Sequence, residues 1–186
     1  MLFYLLMRVF VGVPITEELK KKILPFQKEI LSSGADVKLV SPEQLHFTLK
    51  FLGEIKDVNN VVLKLRELRK KKFSVEVKDV GVFPSEKVVH VVWAGSESEE
   101  FVSLVKAVQD ALNDVRKEDY RDVVPHLTVA RVRSSKNIRK LLDVIKSFKG
   151  KSFGTLVVDR FVLYESVLTA QGPVYKVVEE FRATDL

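Results

Sequence analysis

Two related stretches organise this chain: LHFTLKFL at residues 45–52 and PHLTVA at residues 125–130. Both alternate polar and apolar residues, a pattern that is typical of a half-buried β-strand. Because side chains alternate between the two faces of a strand, His46 and Thr48 share a face, and the second stretch repeats the arrangement. Two of the three histidines in the chain therefore belong to a twinned His-x-Thr motif.

The composition is that of a globular protein. Hydrophobic residues make up 46% of the chain and charged residues 30%, and there is no cysteine, which excludes disulfides and thiolate metal sites. The 186 residues suit one domain, or two small lobes that share a core. The formal net charge of +6 favours polyanionic partners, and we expect a cytoplasmic protein.

The chain opens with a largely apolar run over residues 1–13. The run is too short to span a bilayer, and it lacks the basic region and the cleavage site of a signal peptide. We therefore predict no membrane partner and a first strand over residues 7–13, which Pro14 ends. We also expect translation to begin at Met7, with residues 1–6 as an upstream extension.

Helices and strands alternate along the rest of the chain. Capping residues and helical spacing predict helices over 16–33, 57–72, 98–116 and 136–148, and alternation predicts strands over 37–40, 73–83, 88–94, 157–167 and 174–180. Pro25 is expected to kink or divide the first helix. Each half contains a helix, a His-x-Thr strand, a helix and a hairpin. The sequence thus predicts a single two-lobed α+β domain over residues 1–186, a pseudo-twofold duplication with mainly antiparallel sheets and outer helices around a central cleft.

Two histidines that face one substrate can act as a general acid and a general base. An unperturbed histidine titrates near ~6.5, so one imidazole can accept a proton while the other donates one. Threonine hydroxyls can donate hydrogen bonds to an anion between the two rings, and phosphate fits best. The motifs have neither a nearby carboxylate cluster nor His-x-x-x-His spacing, which indicates phosphodiester chemistry without a metal or another cofactor.

The twinned motif resembles the RNA 2′,3′-cyclic phosphodiesterases, also called 2′-5′ RNA ligases, of the two-histidine phosphoesterase superfamily. One His-x-Thr alone is a weak signal, but two copies at matched places in similar halves are far more specific. The resemblance covers nearly the whole chain from Met7. It includes VSPEQLHFTLKFLG at 40–53, VWAG at 92–95, PHLTVAR at 125–131 and GPVY at 172–175.

The resemblance implies hydrolysis of a terminal 2′,3′-cyclic phosphate to a 2′-phosphate in a cleft between two lobes. By that analogy, His126 is the general base that activates water, and His46 is the general acid that protonates the leaving 3′-oxygen. Thr48 and Thr128 would hold the nonbridging oxygens. In the reverse direction, a 5′-hydroxyl replaces water and gives a 2′-5′ linkage without ATP.

Three further residues are candidates for contacts with the phosphate or the RNA. Arg131 matches a phosphate-associated arginine of the family, but strand parity places it opposite His126 unless the strand bulges. Lys50 shares the parity of His46 and could add positive potential to the cleft or face water. Tyr120 could stack on a base or be an ordinary loop aromatic.

Two other functions stay open at this point. One is a phosphodiesterase that acts on small cyclic nucleotides, such as ADP-ribose 1″,2″-cyclic phosphate or an oligoadenylate. The other is a non-catalytic module that binds RNA or nucleotides on the same fold. The expected partners are RNA ends, tRNA halves among them, or cyclic nucleotides, and we expect the protein to be a monomer.

Overall fold

The computed structural model describes residues 6–117, 123–170 and 172–183. These parts of the chain contain four α-helices, one short 3₁₀ helix (Pro42–Gln44) and nine strands. The helices are α1 (Glu17–Ser32), α2 (Val58–Arg66), α3 (Glu99–Ala111) and α4 (Ile138–Phe148). The strands are β1 (Met7–Pro14), β2 (Val37–Leu39), β3 (His46–Ile55), β4 (Phe73–Ser85), β5 (Val88–Gly95), β6 (His126–Val132), β7 (Ser152–Val158), β8 (Arg160–Thr169) and β9 (Gly172–Arg182). The predicted α+β class is confirmed.

Some predicted boundaries differ from the observed ones. Helix α1 continues through Pro25 and is not divided there. Helix α2 ends at Arg66, so the basic run that follows lies outside it. The strand predicted over 157–167 is part of two strands, β7 and β8, with Asp159 between them. None of the helices in the described parts of the chain is long and apolar enough to cross a membrane.

The strands form one antiparallel sheet with the order β7-β4-β5-β6-β3-β1-β8-β9, and β2 pairs with β6. The two His-x-Thr strands, β3 and β6, are therefore neighbours at the centre of the sheet. They pair at Phe47 and Leu127. The side chains of these two residues are buried on the face of the sheet opposite the His-x-Thr residues. The strands on either side of this junction make up the two lobes.

Each half of the chain places its long helix on the other half. Helix α1 comes from the first half, but it packs against β6, β7 and α4, all from the second. Helix α3 comes from the second half and packs against β3 and α2 of the first. The helix α1 contributes Phe26, whose ring lies 4.7 Å from that of Phe148 and 5.8 Å from that of Phe153. The two halves of the chain are thus connected by exchanged helices as well as by the sheet.

Three β-bulges change the side-chain parity of the motif strands. In the pairing of β3 with β1, Leu49 and Leu52 have no partner residue in β1. In the pairing of β6 with β5, Val129 has no partner residue in β5. A bulge inserts one residue, so side chains beyond it point to the opposite face from the one that alternation predicts. In β3, the side chain of Lys50 is consequently only 1% exposed, whereas Phe51 is 55% exposed.

Candidate active site

The two His-x-Thr motifs meet in one cleft at the centre of the sheet. This cleft has a volume of about 680 Å³ and lies where β3 and β6 are neighbours. His46, Thr48, His126 and Thr128 line it, as does Arg131. The structure therefore brings together the four motif residues that alternation assigns to a shared face.

The backbone holds the ring of His46 in one orientation. Its Nδ1 lies 2.7 Å from the carbonyl oxygen of Gln44, so this nitrogen carries a proton and donates it. The hydroxyl of Thr48 lies 3.0 Å from Nε2 and donates to it when the ring is neutral. Gln44 is itself anchored, because its side-chain amide donates to the carbonyl oxygen of Pro173 in β9.

His126 is held in the same way. Its Nδ1 lies 2.8 Å from the carbonyl oxygen of Val124, which fixes the tautomer and leaves Nε2 for a substrate. The ring of Phe83 meets it edge to face at 4.8 Å, and that of Trp93 lies 6.3 Å away. A Cβ on Gly95 would lie 2.8 Å from the indole of Trp93, so glycine here lets the indole pack closely beside the histidine.

Aromatic side chains also surround His46. The ring of Phe10 lies 4.8 Å from the imidazole, and Tyr175 meets it edge-on at 5.4 Å. Gly12 makes room for the ring, since a Cβ there would lie 3.1 Å from Cδ2 of His46. Burial raises the pKa of Tyr175, so its hydroxyl stays protonated and can donate a hydrogen bond.

Both histidines are neutral in the free protein at pH 7. Burial, with smaller contributions from the charges of Arg131 and His126, lowers the pKa of His46 to about 4, although the bond to Gln44 opposes this shift. Burial also lowers the pKa of His126. An anion bound between the rings would raise both pKa values, because it favours the protonated imidazole. The site can therefore gain a proton when an anion binds.

Of the three less certain candidates, only Arg131 lies in the cleft among the residues that the structure describes. Strand parity alone places it opposite His126, but the bulge at Val129 turns it to the same side. The prediction that Lys50 shares the face of His46 and Thr48 is wrong, because the bulge at Leu49 turns Lys50 into the interior. Tyr120 lies outside the described residues.

Other cleft residues were not identified from the sequence. The cations are Arg8 of β1, Lys38 of β2 and Arg116 after α3, and the large exposed aromatic is Phe51. The pairing of Lys38 with Arg131 in neighbouring strands brings two of the positive charges together. These residues come from separate parts of the chain and share no motif, so only the bulges and the sheet order could have revealed them.

The donor set of the cleft consists of imidazoles, hydroxyls and guanidinium groups. Across residues 6–117, 123–170 and 172–183, no three His, Cys, Asp or Glu side chains cluster as ligands of one metal ion would. Guanidinium groups and hydroxyls donate hydrogen bonds to oxyanions, and a neutral imidazole can exchange a proton with them. Chemically, the arrangement suits an anionic phosphate ester that undergoes proton transfer on two sides.

The sequence profile of LigT-like phosphoesterases matches this chain twice, over residues 13–93 and 95–175. An RNA 2′,3′-cyclic phosphodiesterase from Methanocaldococcus jannaschii is 34% identical over 180 residues, which cover 94% of this chain and 100% of the relative. A protein of the same name from Archaeoglobus fulgidus is 35% identical, with coverage of 94% and 99%.

Solved structures share the fold. A crystal structure of a Thermus thermophilus protein superposes with a TM-score of 0.78 at 27% identity and covers 95% of this chain and 97% of its own. Escherichia coli LigT in complex with 3′-AMP superposes with a TM-score of 0.79 at 20% identity, with coverage of 97% and 100%. By its two profile matches and its near full-length relatives, the chain belongs to the LigT-like phosphoesterase family.

Proposed function

We propose that this protein hydrolyses the 2′,3′-cyclic phosphate at the end of an RNA to a 2′-phosphate by acid–base catalysis between His46 and His126. The observation that carries the proposal is the matched pair of imidazoles in one cleft. Each has its Nδ1 bonded to a backbone carbonyl, so each presents Nε2, and each lies two residues before a cleft-lining threonine. The names of the M. jannaschii and A. fulgidus relatives support the choice of an RNA end as substrate.

In the proposed reaction, water attacks phosphorus and the bond from phosphorus to the 3′-oxygen breaks. His126 accepts a proton from the water through Nε2, and protonated His46 gives a proton to the departing 3′-oxygen. One water is consumed, and the 2′-phosphate remains on the terminal ribose. The assignment of base and acid follows the family resemblance, because the two imidazoles are placed in similar ways.

Charge that develops on the nonbridging oxygens is stabilised by donors in the cleft. The hydroxyls of Thr48 and Thr128 bind these oxygens, and the guanidinium of Arg131 adds a positive charge. When the phosphate binds, the Thr48 hydroxyl exchanges its bond to His46 for one to the substrate. The negative charge of the phosphate offsets the positive charge of Arg131. The pKa of His46 therefore rises from its low value, and His46 becomes protonated and can act as the acid.

The same site catalyses ligation when a 5′-hydroxyl replaces water. His126 then removes the proton of the 5′-hydroxyl as it attacks phosphorus, and His46 protonates the departing 3′-oxygen. When the 3′-hydroxyl attacks the linkage and the 5′-oxygen departs, the two histidines exchange roles by microscopic reversibility. The product of ligation would be a 2′-5′ linkage that forms without ATP, and the two halves of a cleaved tRNA are RNA ends of the required kind. The reaction needs no metal, because imidazoles perform both proton transfers.

The proposal is tested by incubating the protein, without ATP or added metal, with an RNA oligomer that ends in a 2′,3′-cyclic phosphate. Products with a 2′- or 3′-phosphate are separated by chromatography. We expect the 2′-phosphate, and a rate about 10²–10⁴-fold lower for His46→Ala and for His126→Ala. His90→Ala is the matched control, because His90 is exposed on β5 away from the cleft, and its rate should equal that of the wild type.

Each other outcome has a separate meaning. A 3′-phosphate product would reverse the proposed regiochemistry, and loss of activity in EDTA that a divalent ion restores would contradict the metal-free mechanism. Turnover of mononucleotide cyclic phosphates but not of RNA would favour a small-nucleotide phosphodiesterase. Binding of RNA without any turnover would favour a binding module.

A further inference from the structure

We propose that Arg116 forms a second phosphate-binding site in the cleft, which takes a phosphodiester of the RNA chain upstream of its terminal nucleotide. The inference rests on the proposed function, because it assumes that the cyclic phosphate lies between His46 and His126. Arg116 follows α3 and lines the same cleft as the two histidines. It belongs to neither His-x-Thr motif.

The guanidinium of Arg116 is held against the far end of β3. Its Nη1 donates to the carbonyl oxygen of Leu52 over 3.1 Å, and Leu52 is the residue at the second bulge of that strand. The next residue, Gly53, has a φ of 70°, and a Cβ there would lie 2.5 Å from the same nitrogen. Glycine at this position therefore lets the guanidinium lie on the strand. The bond to Leu52 uses one of the five N–H donors of the side chain.

Distance along β3 separates this site from the histidines. Leu52 comes six positions after His46 on the strand, which corresponds to roughly 15–20 Å. A nucleoside cyclic monophosphate carries a single phosphate, and that phosphate would be held between the histidines. Arg116 can therefore contact only another phosphate, and in an RNA substrate that phosphate belongs to a nucleotide upstream of the terminal one.

The surface between the two sites suits the intervening nucleotides. Phe51 lies there with 55% of its side chain exposed, and a flat aromatic ring is a stacking surface for a base. Arg8 also lines this end and pairs in register with Glu54, next to Gly53. Two guanidinium groups thus accompany one carboxylate, which gives this end a positive potential that favours phosphate.

The test compares adenosine 2′,3′-cyclic phosphate with a tetranucleotide that ends in a 2′,3′-cyclic phosphate. For Arg116→Met, we expect kcat/KM on the tetranucleotide to fall roughly ten-fold, mainly through KM, and kcat/KM on the mononucleotide to stay unchanged. The logarithmic salt dependence of tetranucleotide binding should also weaken by about 0.7, the contribution of one phosphate on a single strand. Arg116→Lys should restore part of the loss.

The matched control is Arg139→Met, which removes the same charge from an exposed position on α4 outside the cleft. In Arg139→Met, kcat/KM should stay unchanged on both substrates. The proposal would be overturned if Arg116→Met lowered kcat/KM equally on both substrates, or if it lowered kcat/KM on neither. If the wild type hydrolyses neither substrate, the proposed function fails separately. Fluorescence anisotropy with a tetranucleotide that ends in a 2′-phosphate then still tests Arg116, and equal affinity for wild type and Arg116→Met would overturn its role.

Discussion

His46 and His126 occupy equivalent places in the two repeats, yet their surroundings differ. The ring of His46 is the more deeply buried of the two. The nearby positive charge of Arg131 also lowers the pKa of His46. A phosphate that approaches Arg131 cancels this effect, because the two charges have opposite signs. We therefore expect the protonation of His46 to be coupled to the binding of an anion through the neighbouring guanidinium of Arg131.

Replacement of Arg131 by methionine should raise the pKa of His46 above its value of about 4 in the free protein. The sign follows from Coulomb's law, since a nearby positive charge disfavours the imidazolium and its removal favours it. The pH titration of the His46 ring by NMR measures the shift, and Arg139→Met serves as the control for a general change in charge. An unchanged pKa in Arg131→Met would show that the guanidinium does not act on His46.

Bulges in β3 and β6 decide which side chains enter the cleft. The alternating pattern correctly predicted both strands and the shared face of the His-x-Thr residues, because those residues precede the first bulge of each strand. Beyond Leu49 and Val129 the pattern fails, so Lys50 was predicted on the wrong side and Arg131 needed a bulge to reach the cleft. A bulge depends on the partner strand and on long-range hydrogen bonds, and neither is visible in a local pattern.

The bulge in β6 is held by a buried glutamine from α1. The amide of Gln27 donates to the carbonyl oxygens of Val40 and Val129, over 2.8 and 2.9 Å, and the N–H of Val40 also donates to Val129. Gln27 is 3% exposed, so these bonds are shielded from water. We infer that Gln27 positions Arg131 by fixing the backbone two residues earlier.

Gln27→Met should lower the free energy of unfolding by about 1–3 kcal/mol, because the carbonyl oxygens of Val40 and Val129 both lose the amide donor, and only Val129 keeps the N–H of Val40. It should also raise the pKa of His46, since Arg131 loses its fixed position. The NMR titration used for Arg131→Met measures this second effect. In the double variant Gln27→Met/Arg131→Met, the pKa should equal that of Arg131→Met alone.

The control for Gln27→Met is Ser33→Ala at the end of the same helix. Ser33 is buried, and its hydroxyl donates to the carbonyl oxygen of Ile30 and accepts from the N–H of Ala35. Its loss should destabilise the protein without any change at His46. A shift of the His46 pKa in Ser33→Ala would mean that general destabilisation, and not the bulge, causes the shift in Gln27→Met.

The exchanged helices make the two halves of the chain depend on each other. Each long helix buries its apolar face on strands from the other half of the chain, so neither half contains its own complete core. The sequence predicted the duplication from the order of its elements. It did not predict the exchange, because the apolar stripe of α1 shows that the helix packs but not which strands it meets.

Phe26→Ala should lower the free energy of unfolding by about 3–5 kcal/mol, because Phe26 is fully buried between α1 and the second repeat. Unfolding in denaturant should remain one transition when it is followed by Trp93 fluorescence and by circular dichroism. Phe51→Ala makes the same chemical change at an exposed position and should lower the free energy of unfolding far less. Two separate transitions would contradict the mutual dependence of the two halves of the chain.

The exchange of helices also has a consequence for how such a chain could arise. A chain of half this length would have nowhere to bury its long helix except on a second copy of itself, so it would exist as a domain-swapped homodimer. The two-fold axis of that dimer would pass between its two His-x-Thr strands, and each copy would supply one histidine to a shared site. Fusion of the two copies into one gene would then free each histidine, and each neighbouring side chain, to diverge.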